Sequence, residues 1–288
     1  MNIKRISKML LLSASIALAS SALAQSEDDS IPQPGPTTLT LINGWTNAPY
    51  ATSDAEVELV NGIVHFKGAI AGGKSSEAFV LPPEFRPSSY VYIPIDLYYA
   101  QNGRLVIYPT GEVVVEAQNS FSNAVNFTSL DGASFALNSS GFKSLTLLNG
   151  WQDYGAGVAK AEVKNVNGIV HLKGAIAGGS NDEPFVLPSG FRPAKLVYVP
   201  VDLTSGTNGR LVIYPDGLVY VEAEGNSFGD AQGFTSLDGA WFVAKDSGFD
   251  KLSLTNGWTD YESGTGQAKA KIVNGIVYFQ GAISTSGN

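Results

Sequence analysis

The chain has 288 residues, no cysteine, 18 basic and 26 acidic side chains, and a net charge of −8. Without cysteine it has neither a disulfide framework nor a cysteine for lipid attachment. Its negative charge repels phosphate backbones, which excludes nucleic acid as the expected partner.

The first residues have the pattern of an export signal. Three basic residues precede an apolar run from Met9 to Ala19, and Ala22 and Ala24 offer small residues for cleavage. The run is short and contains serines, which disfavours a membrane anchor. We predict a signal peptide over residues 1–24 that is cleaved after Ala24, and a secreted, cell-surface or periplasmic protein with no membrane span. An acidic, proline-rich linker is predicted over residues 25–37.

The rest of the chain is a tandem repeat. An Asn-Gly-Trp motif occurs three times, at Trp45, Trp151 and Trp258, and several longer phrases follow in the same order in the first two copies. A period of roughly a hundred residues is a whole domain rather than a solenoid unit. The sequence therefore predicts three units: repeat 1 at 38–143, repeat 2 at 144–250 and an incomplete repeat 3 at 251–288.

Within a copy the periodicity is that of strands. Residues 55–59 alternate between apolar and polar, Asn61-Gly62 follows, and residues 63–67 return. Asn-Gly favours a two-residue hairpin turn because both positions tolerate a positive φ. Further hairpins are predicted over 105–116 and 127–137, and no stretch after the signal shows sustained helical spacing. About eight short strands per copy predict an all-β protein of tandem antiparallel β-sandwich or jelly-roll-like domains, the first two folding independently.

The most similar phrase of the repeats is interpreted as a structural part. NGIVHFKGAIAGG at 61–73 returns as NGIVHLKGAIAGG at 167–179 and begins a third time, as NGIVYFQGAI, from Asn274. Repeat 3 lacks everything that matches 185–242. Three explanations stay open: the sequence is a piece of a longer product, the segment packs on repeat 2, or it inserts into another chain. We favour the first and expect a poorly packed tail that protease removes, because a lone hairpin is marginal in water.

Few residues suggest catalysis or metal binding. His65 and His171 lie in mid-strand without the ligand set that zinc requires, so a packing role is expected. The sequence has no Gly-x-Ser-x-Gly elbow beside a histidine. It also shows no Asp-x-Asp-x-Asp-Gly calcium loop, although calcium on the acidic loops stays open. Asp131 and Asp238 lie in Leu-Asp-Gly turns, where turn formation is the expected role. We predict a protein that is not an enzyme and has no metal or cofactor.

Aromatic residues in loops are the better lead. The tryptophans are expected to close one end of each sandwich, with a flat platform for a sugar ring as the alternative. The segment Tyr98-Tyr99-Ala100-Gln101 differs from Thr204-Ser205-Gly206-Thr207 of repeat 2, and function concentrates in loops on a rigid scaffold. Neutral drift of the loops would look the same. The predicted ligand-binding residues of the two rims are Tyr50, Asp96, Tyr98 and Tyr99 in repeat 1, and Tyr154 and Asp202 in repeat 2. The structural alternative is that Asp96 or Asp202 pairs with an arginine, namely Arg104 or Arg86, or Arg210 or Arg192.

The order of the motifs resembles a known family. The chain combines an Asn-Gly-Trp start with Gly-Ile-Val-His-Leu-Lys-Gly, Phe-Val-Leu-Pro-x-Gly-Phe-Arg-Pro, Gly-Arg-Leu-x-Ile-x-Pro-Asp-Gly and Ser-Leu-Asp-Gly-x-x-Phe. This order is similar to that of the C-terminal receptor-binding domains of bacteriophage tail-fibre proteins, and similar modules occur in exported bacterial proteins. The resemblance covers both full copies and the start of the third. It implies β-sandwich heads that assemble as trimers and hold saccharides of a host surface.

These features together predict an exported, non-enzymatic binding or adhesion protein that recognises glycans of a cell surface or extracellular matrix. Tandem modules would raise the avidity of weak single sites. A self-assembling structural protein of the surface or matrix, without a small ligand, is the alternative, and a carbohydrate-active enzyme is the third hypothesis. Binding predicts exposed aromatic residues on loops, assembly predicts an apolar patch, and catalysis predicts two carboxylates across a cleft.

Overall fold

The computed structural model describes residues 35–47, 49–245 and 248–285. They belong to one compact unit, Gln33–Asn288. The predicted signal peptide and most of the predicted linker lie outside the described residues. Strands occupy 46% of the described residues and helices 12%, which confirms the predicted all-β class.

Repeat 1 is built from two antiparallel sheets. The first sheet has the strand order β1-β3-β4-β11 and the second has the order β2-β5-β10-β7-β8-β9-β6. Short 3-10 turns cover Pro49–Ala51, Pro83–Phe85 and Tyr98–Ala100. The elements are β1 (Thr37–Thr38), β2 (Thr46–Asn47), β3 (Glu56–Val60), β4 (Ile63–Lys67), β5 (Ala69–Ala71), β6 (Glu77–Val80), β7 (Val91–Leu97), β8 (Gln101–Ile107), β9 (Glu112–Ala117), α1 (Phe121–Asn126), β10 (Thr128–Ser129) and β11 (Ser134–Ala136).

Repeat 2 has the same plan. One sheet has the order β12-β14-β15-β22, and the facing layer consists of β13-β16-β21 and β17-β20-β19-β18. Its 3-10 turns cover Ser189–Phe191, Thr204–Gly206 and Glu224–Asn226. The elements are β12 (Lys143–Ser144), β13 (Trp151–Asp153), β14 (Glu162–Val166), β15 (Ile169–Lys173), β16 (Ala175–Gly178), β17 (Phe185–Val186), β18 (Val197–Asp202), β19 (Asn208–Ile213), β20 (Leu218–Ala223), α2 (Phe228–Gly233), β21 (Thr235–Ser236) and β22 (Trp241–Val243).

The described residues of repeat 3 form the beginning of this plan. Two small sheets form, with the orders β23-β25-β26 and β24-β27. Their strands are β23 (Asp250–Lys251), β24 (Trp258–Asp260), β25 (Lys269–Val273), β26 (Ile276–Gln280) and β27 (Ile283–Thr285).

Each full repeat has its own hydrophobic core between its two layers. In repeat 1, Phe66 of β4 packs 6.1 Å from Phe79 of β6, ring centre to ring centre, and both side chains are buried. The core of repeat 2 is a separate cluster that runs from Leu145 to Ala244. The two cores account for the two predicted sandwiches, and their independent folding stays a prediction because the repeats also pack on one another.

The predicted Asn-Gly hairpins are present in all three copies. Asn61 has a φ of 53° and Gly62 a φ of 81°, and Val60 pairs with Ile63 across the turn. Asn167-Gly168 and Asn274-Gly275 adopt the same conformation between β14 and β15 and between β25 and β26. Two successive positive φ values match the right-handed twist of the flanking strands, which explains why this dipeptide recurs.

The predicted hairpin over 127–137 is wrong. Strand β10 pairs with β5 and β7, whereas β11 pairs with β4 in the other sheet, so the Leu-Asp-Gly turn crosses between the layers. The chain crosses a second time at Gly68, between β4 and β5. The Asp131 carboxylate fixes the two crossings together by accepting a 2.9 Å hydrogen bond from the Gly68 N–H, and Asp238 does the same for Gly174. Alternation shows where strands lie but not which sheet they join.

The glycines of the repeated phrase make room for neighbouring atoms. Gly68 has a φ of 89°, and a Cβ there would lie 2.2 Å from the Asp54 carbonyl oxygen. A Cβ at Gly73 would lie 2.1 Å from the Trp45 ring, and Gly179 lies against Trp151 in the same way. The Trp45 indole is buried and donates a 2.8 Å hydrogen bond to the Ser75 carbonyl oxygen. The phrase and the tryptophan form one packing unit, and no platform is formed by these two buried indoles.

Successive repeats meet through the same contact. The Tyr90 N–H donates to the Gly157 carbonyl oxygen at 3.0 Å, and the Leu196 N–H donates to the Gly264 carbonyl oxygen at 3.1 Å. Tyr90 and Leu196 occupy matching positions before β7 and β18. Repeat 3 therefore sits on repeat 2 as repeat 2 sits on repeat 1. This is a head-to-tail, heterologous contact within one chain.

Candidate functional site

The turn between β7 and β8 displays two tyrosines of repeat 1. Its Tyr99 and Ala100 have φ values of 57° and 55°, a left-handed conformation that is uncommon for residues other than glycine. The turn directs Tyr99 outward, and 81% of this residue is exposed. The preceding Leu97 is buried and anchors the turn on the core. A rigid strand end thus carries an exposed aromatic side chain.

A second turn brings Tyr50 to the same place. Tyr50 has a φ of 56° and is 70% exposed. Its ring stacks on Tyr98 with 6.3 Å between ring centres and 19° between planes, and Tyr98 lies 4.2 Å from Tyr99. Phe127 supports Tyr50 at 6.1 Å. Tyr50, Tyr98 and Tyr99, three of the predicted site residues, form one group that we call the tyrosine cluster.

At the exposed end of this cluster, a hydrogen bond joins the side chains of Tyr98 and Tyr99. The bond with the Tyr98 side chain raises the pKa of Tyr99 above its ordinary value, since it favours the protonated phenol. The Tyr99 hydroxyl therefore remains protonated at neutral pH. The cluster presents ring faces together with phenolic groups that donate and accept hydrogen bonds.

Repeat 2 has the same turns without the aromatic residues. Ala156 has a φ of 49° where repeat 1 has Tyr50, and Ser205 has a φ of 59° where repeat 1 has Tyr99. The left-handed turns are therefore a structural property of both repeats. Only repeat 1 places tyrosines on them.

Tyr154 lies in the contact between the repeats. It follows Trp151 by three residues, whereas Tyr50 follows Trp45 by five, so the two tyrosines do not occupy matching positions. The Tyr154 ring lies 4.7 Å from Phe234, which in turn lies 5.0 Å from Tyr92 of repeat 1. Tyr154 is thus separate from the tyrosine cluster.

Asp202 is buried against repeat 1. Its Oδ2 lies 3.2 Å from Nη1 of Arg104, and only 1% of its side chain is exposed. Burial raises the pKa of Asp202 to about 7, although the Arg104 guanidinium acts in the opposite direction. Arg104 also binds Glu116 of its own repeat, with 2.6 Å between Nη2 and Oε2. The structural alternative, an aspartate paired with one of the four named arginines, holds for Asp202, and its partner is Arg104 of the other repeat.

Asp96 and Asp202 line the same cleft rather than two equivalent rims. This cleft between repeats 1 and 2 has a volume of about 370 Å³. Asp96 is exposed, and partial burial raises its pKa. Polar side chains from both repeats complete the lining, among them Asn102, Thr207 and Asn208.

Two residues at the contact between repeats 1 and 2, Glu224 and Ser236, were not predicted from the sequence. Glu224 of repeat 2 accepts hydrogen bonds of 3.2 Å from both Asn102 and Gln118 of repeat 1. The Ser236 hydroxyl donates a 2.7 Å hydrogen bond to the Tyr92 carbonyl oxygen. Nothing in the spacing of these residues shows that they meet. The divergence of the copies at Gln118 and Glu224 was a signal, because matching residues on opposite sides of a heterologous contact face different partners.

The histidines pack between the repeats. Burial lowers the pKa of His65 to about 4, and burial together with the nearby His65 and Lys164 lowers that of His171 to about 3. Both imidazoles are therefore neutral at pH 7. Within the described ranges, no group of three or more histidines and carboxylates could hold a metal ion. No helix in the described part of the chain is long and apolar enough to cross a bilayer.

Comparisons with family models, with curated proteins and with solved structures gave no match.

Proposed function

We propose that the protein is an exported, non-enzymatic binding protein whose repeat 1 holds glycans of a cell surface or extracellular matrix. The observation that carries this proposal is the tyrosine cluster. Exposed tyrosines on left-handed turns occur in repeat 1, while repeat 2 has alanine and serine on the same backbone.

The chemistry of the cluster suits a sugar. Tyrosine supplies a large, rigid contact area at low conformational entropy, and its hydroxyl adapts to neighbouring donors and acceptors. The apolar face of a pyranose ring stacks on such a ring, while its hydroxyl groups bond to the phenols. Asp96 lies two residues before Tyr98 and offers an exposed carboxylate as a further acceptor. The strands β7 and β8 hold these groups on a rigid support, which reduces the entropy lost on binding.

A glycan array probed with residues 25–288 tests the proposal. Tyr50→Ala and Tyr99→Ser install the residues that repeat 2 already carries on the same turns, so the fold is expected to persist. Each change should weaken binding of the glycan that the array identifies by about tenfold, the effect of losing a good aromatic anchor.

Tyr214→Ala is the matched control. Tyr214 is another exposed tyrosine, 40% accessible, in the β19–β20 turn of repeat 2. Its removal should leave binding unchanged. The proposal fails if Tyr98→Ala and Tyr99→Ala together leave the affinity of the parent protein intact, or if Tyr214→Ala weakens binding equally.

A self-assembling surface or matrix protein is the second candidate, and one observation favours it. Repeat 3 exposes large apolar side chains, including Ile272 and Phe279. Sedimentation of the parent protein over a range of concentrations tests assembly through this face. Catalysis on carbohydrate has less support, because Asp202 is buried under Arg104 and cannot contact a substrate as a free carboxylate.

A further inference from the structure

Repeat 3 packs through one face and exposes the other. Tyr278 of β26 is buried, and its ring lies 4.9 Å from Trp241 of repeat 2. Ile276 and Val273 pack in the same cluster with Ile169. The expectation of a poorly packed tail therefore applies to the opposite face only.

We call that opposite face the open face. It is formed by Trp258, Ile272, Val277 and Phe279, which are 45–69% exposed. The matching residues of repeat 1 are all buried: Trp45, Leu59, Val64 and Phe66. In repeat 1 the cover is the second layer, where Phe79 of β6 meets Phe66. Several large apolar side chains exposed on one sheet face mark an interaction site.

Arg210, the residue of repeat 2 that matches Arg104, pairs within its own repeat rather than with the next one. Arg104 stacks over Tyr92 at 5.2 Å and binds the buried Asp202. Arg210 stacks over Tyr198 in the same way, at 4.9 Å, but its side chain is 54% exposed and its ion pair is with Glu222 of its own repeat. The partner that Arg210 would have is the residue of repeat 3 that matches Asp202. In a complete repeat that residue lies in the second layer.

Repeat 1 carries an aspartate without an arginine of a neighbouring repeat. This residue is Asp96, which matches Asp202 but is exposed. Two head-to-tail steps bring repeat 3 back beside repeat 1, since two cavities are lined by residues of both. One cavity of about 350 Å³ is lined by residues of all three repeats, including Ile93, Val199 and Phe279. A second is lined by His65 of repeat 1 and Ile276 of repeat 3. A heterologous contact that returns to its start closes a ring.

We propose that the open face, together with Arg210 and Asp96, is a docking surface for one polypeptide layer of the same kind as residues 182–244. This layer would cover the apolar side chains and complete a third sandwich. Its aspartate would pair with Arg210, and its arginine would pair with Asp96. The occupant is thus defined by an apolar sheet and by one charge of each sign.

A fusion tests the proposal on the full chain. Asn288 matches Asn181, so a second copy of residues 182–244 placed after Asn288 continues the repeat in register. The fusion should be monomeric, Trp258 emission should shift to shorter wavelength, and cleavage of residues 251–288 by protease should slow at least about tenfold, since local opening then requires loss of a core. Trp258→Phe in both proteins isolates the signal of this indole.

Two charge variants separate docking in the proposed geometry from nonspecific apolar contact. Arg210→Ala and Asp96→Asn should lower the thermal midpoint of the fusion by several degrees and leave that of the parent chain within about one degree. The same fusion with Phe279→Asp is the matched control and should regain the rapid cleavage of the parent.

Three results would overturn the proposal. Trp258 emission and cleavage of the fusion could equal those of the parent. The two charge variants could have equal effects in both proteins. The parent could already form a dimer that buries Trp258, which would make a second copy of this chain the occupant.

Discussion

The buried histidine between repeats 1 and 2 gives a quantitative pH test. We consider His171→Gln, which keeps a neutral polar side chain of similar length. In the unfolded chain His171 titrates near its ordinary pKa of 6.5, whereas in the fold its pKa is about 3. Between these values the unfolded chain binds a proton that the folded chain does not, so the free energy of unfolding falls as the pH falls below 6.5.

The magnitude follows from the pKa difference. Each pH unit inside the window contributes about 1.4 kcal/mol. The parent should therefore lose about 1.4 kcal/mol relative to His171→Gln between pH 7.5 and pH 5.5, and about 3 kcal/mol by pH 4. Lost packing in the variant adds an offset that does not vary with pH. The stability curve of the parent alone is less informative, because burial raises the pKa of Asp202 to about 7 and that of Asp238 to about 6, which gives the opposite slope.

Denaturant unfolding at pH 7.5, 6.5 and 5.5 measures the difference in unfolding free energy between the parent and His171→Gln. All three pH values lie above the isoelectric point of about 4.8. His65→Gln should show the same trend, since burial lowers the pKa of His65 to about 4. A difference between parent and His171→Gln that is constant over this range would refute the reasoning, because it would mean that His171 is solvated or compensated in the folded chain.

Three further predictions concern the packing of the repeats. Arg104→Ala should lower the free energy of unfolding by about 3 kcal/mol, because it leaves the buried Asp202 carboxylate unpaired, whereas the matched Arg210→Ala should cost under about 1 kcal/mol. Equal effects in denaturant titrations would contradict the geometry of the contact between the repeats. Gly68→Ala should cost about 3 kcal/mol or more through strain and a backbone clash, while Gly132→Ala, at a similar φ in open space, should cost about 1 kcal/mol; calorimetry separates the two. Tyr278→Ala should accelerate proteolysis of repeat 3 while the remaining core, ending near residue 249, stays intact; an unchanged rate would show that this ring does not hold the segment.

Local patterns were sufficient for the strands and turns. The Asn-Gly dipeptides determine their hairpins because two positive φ values are needed at adjacent residues, and this requirement depends only on neighbours. The tandem organisation was equally visible, since Trp45, Trp151 and Trp258 mark each start. The helices α1 and α2 were missed because six residues are too few for a helical period to emerge.

The candidate site was predictable only in part. Divergence between the copies pointed to Tyr98 and Tyr99, and the structure adds Tyr50 to them by stacking. Proximity to a tryptophan could not distinguish Tyr50 from Tyr154, because a shift of two residues along the turn directs one side chain to solvent and the other to the junction.

The sequence by itself determined the all-β class, the repeat and its hairpins, since each depends on residues close together in the chain. The tertiary structure alone decided how the repeats meet. Asp202 became the partner of Arg104, 98 residues away, and the turn at Asp131 became a crossing between sheets. These outcomes depend on which surfaces are buried together, and burial is a property of the whole fold. Burial raised the pKa of Asp202, whereas its counterpart Asp96 stayed in solvent. The sheet face that repeat 1 covers is likewise exposed on repeat 3.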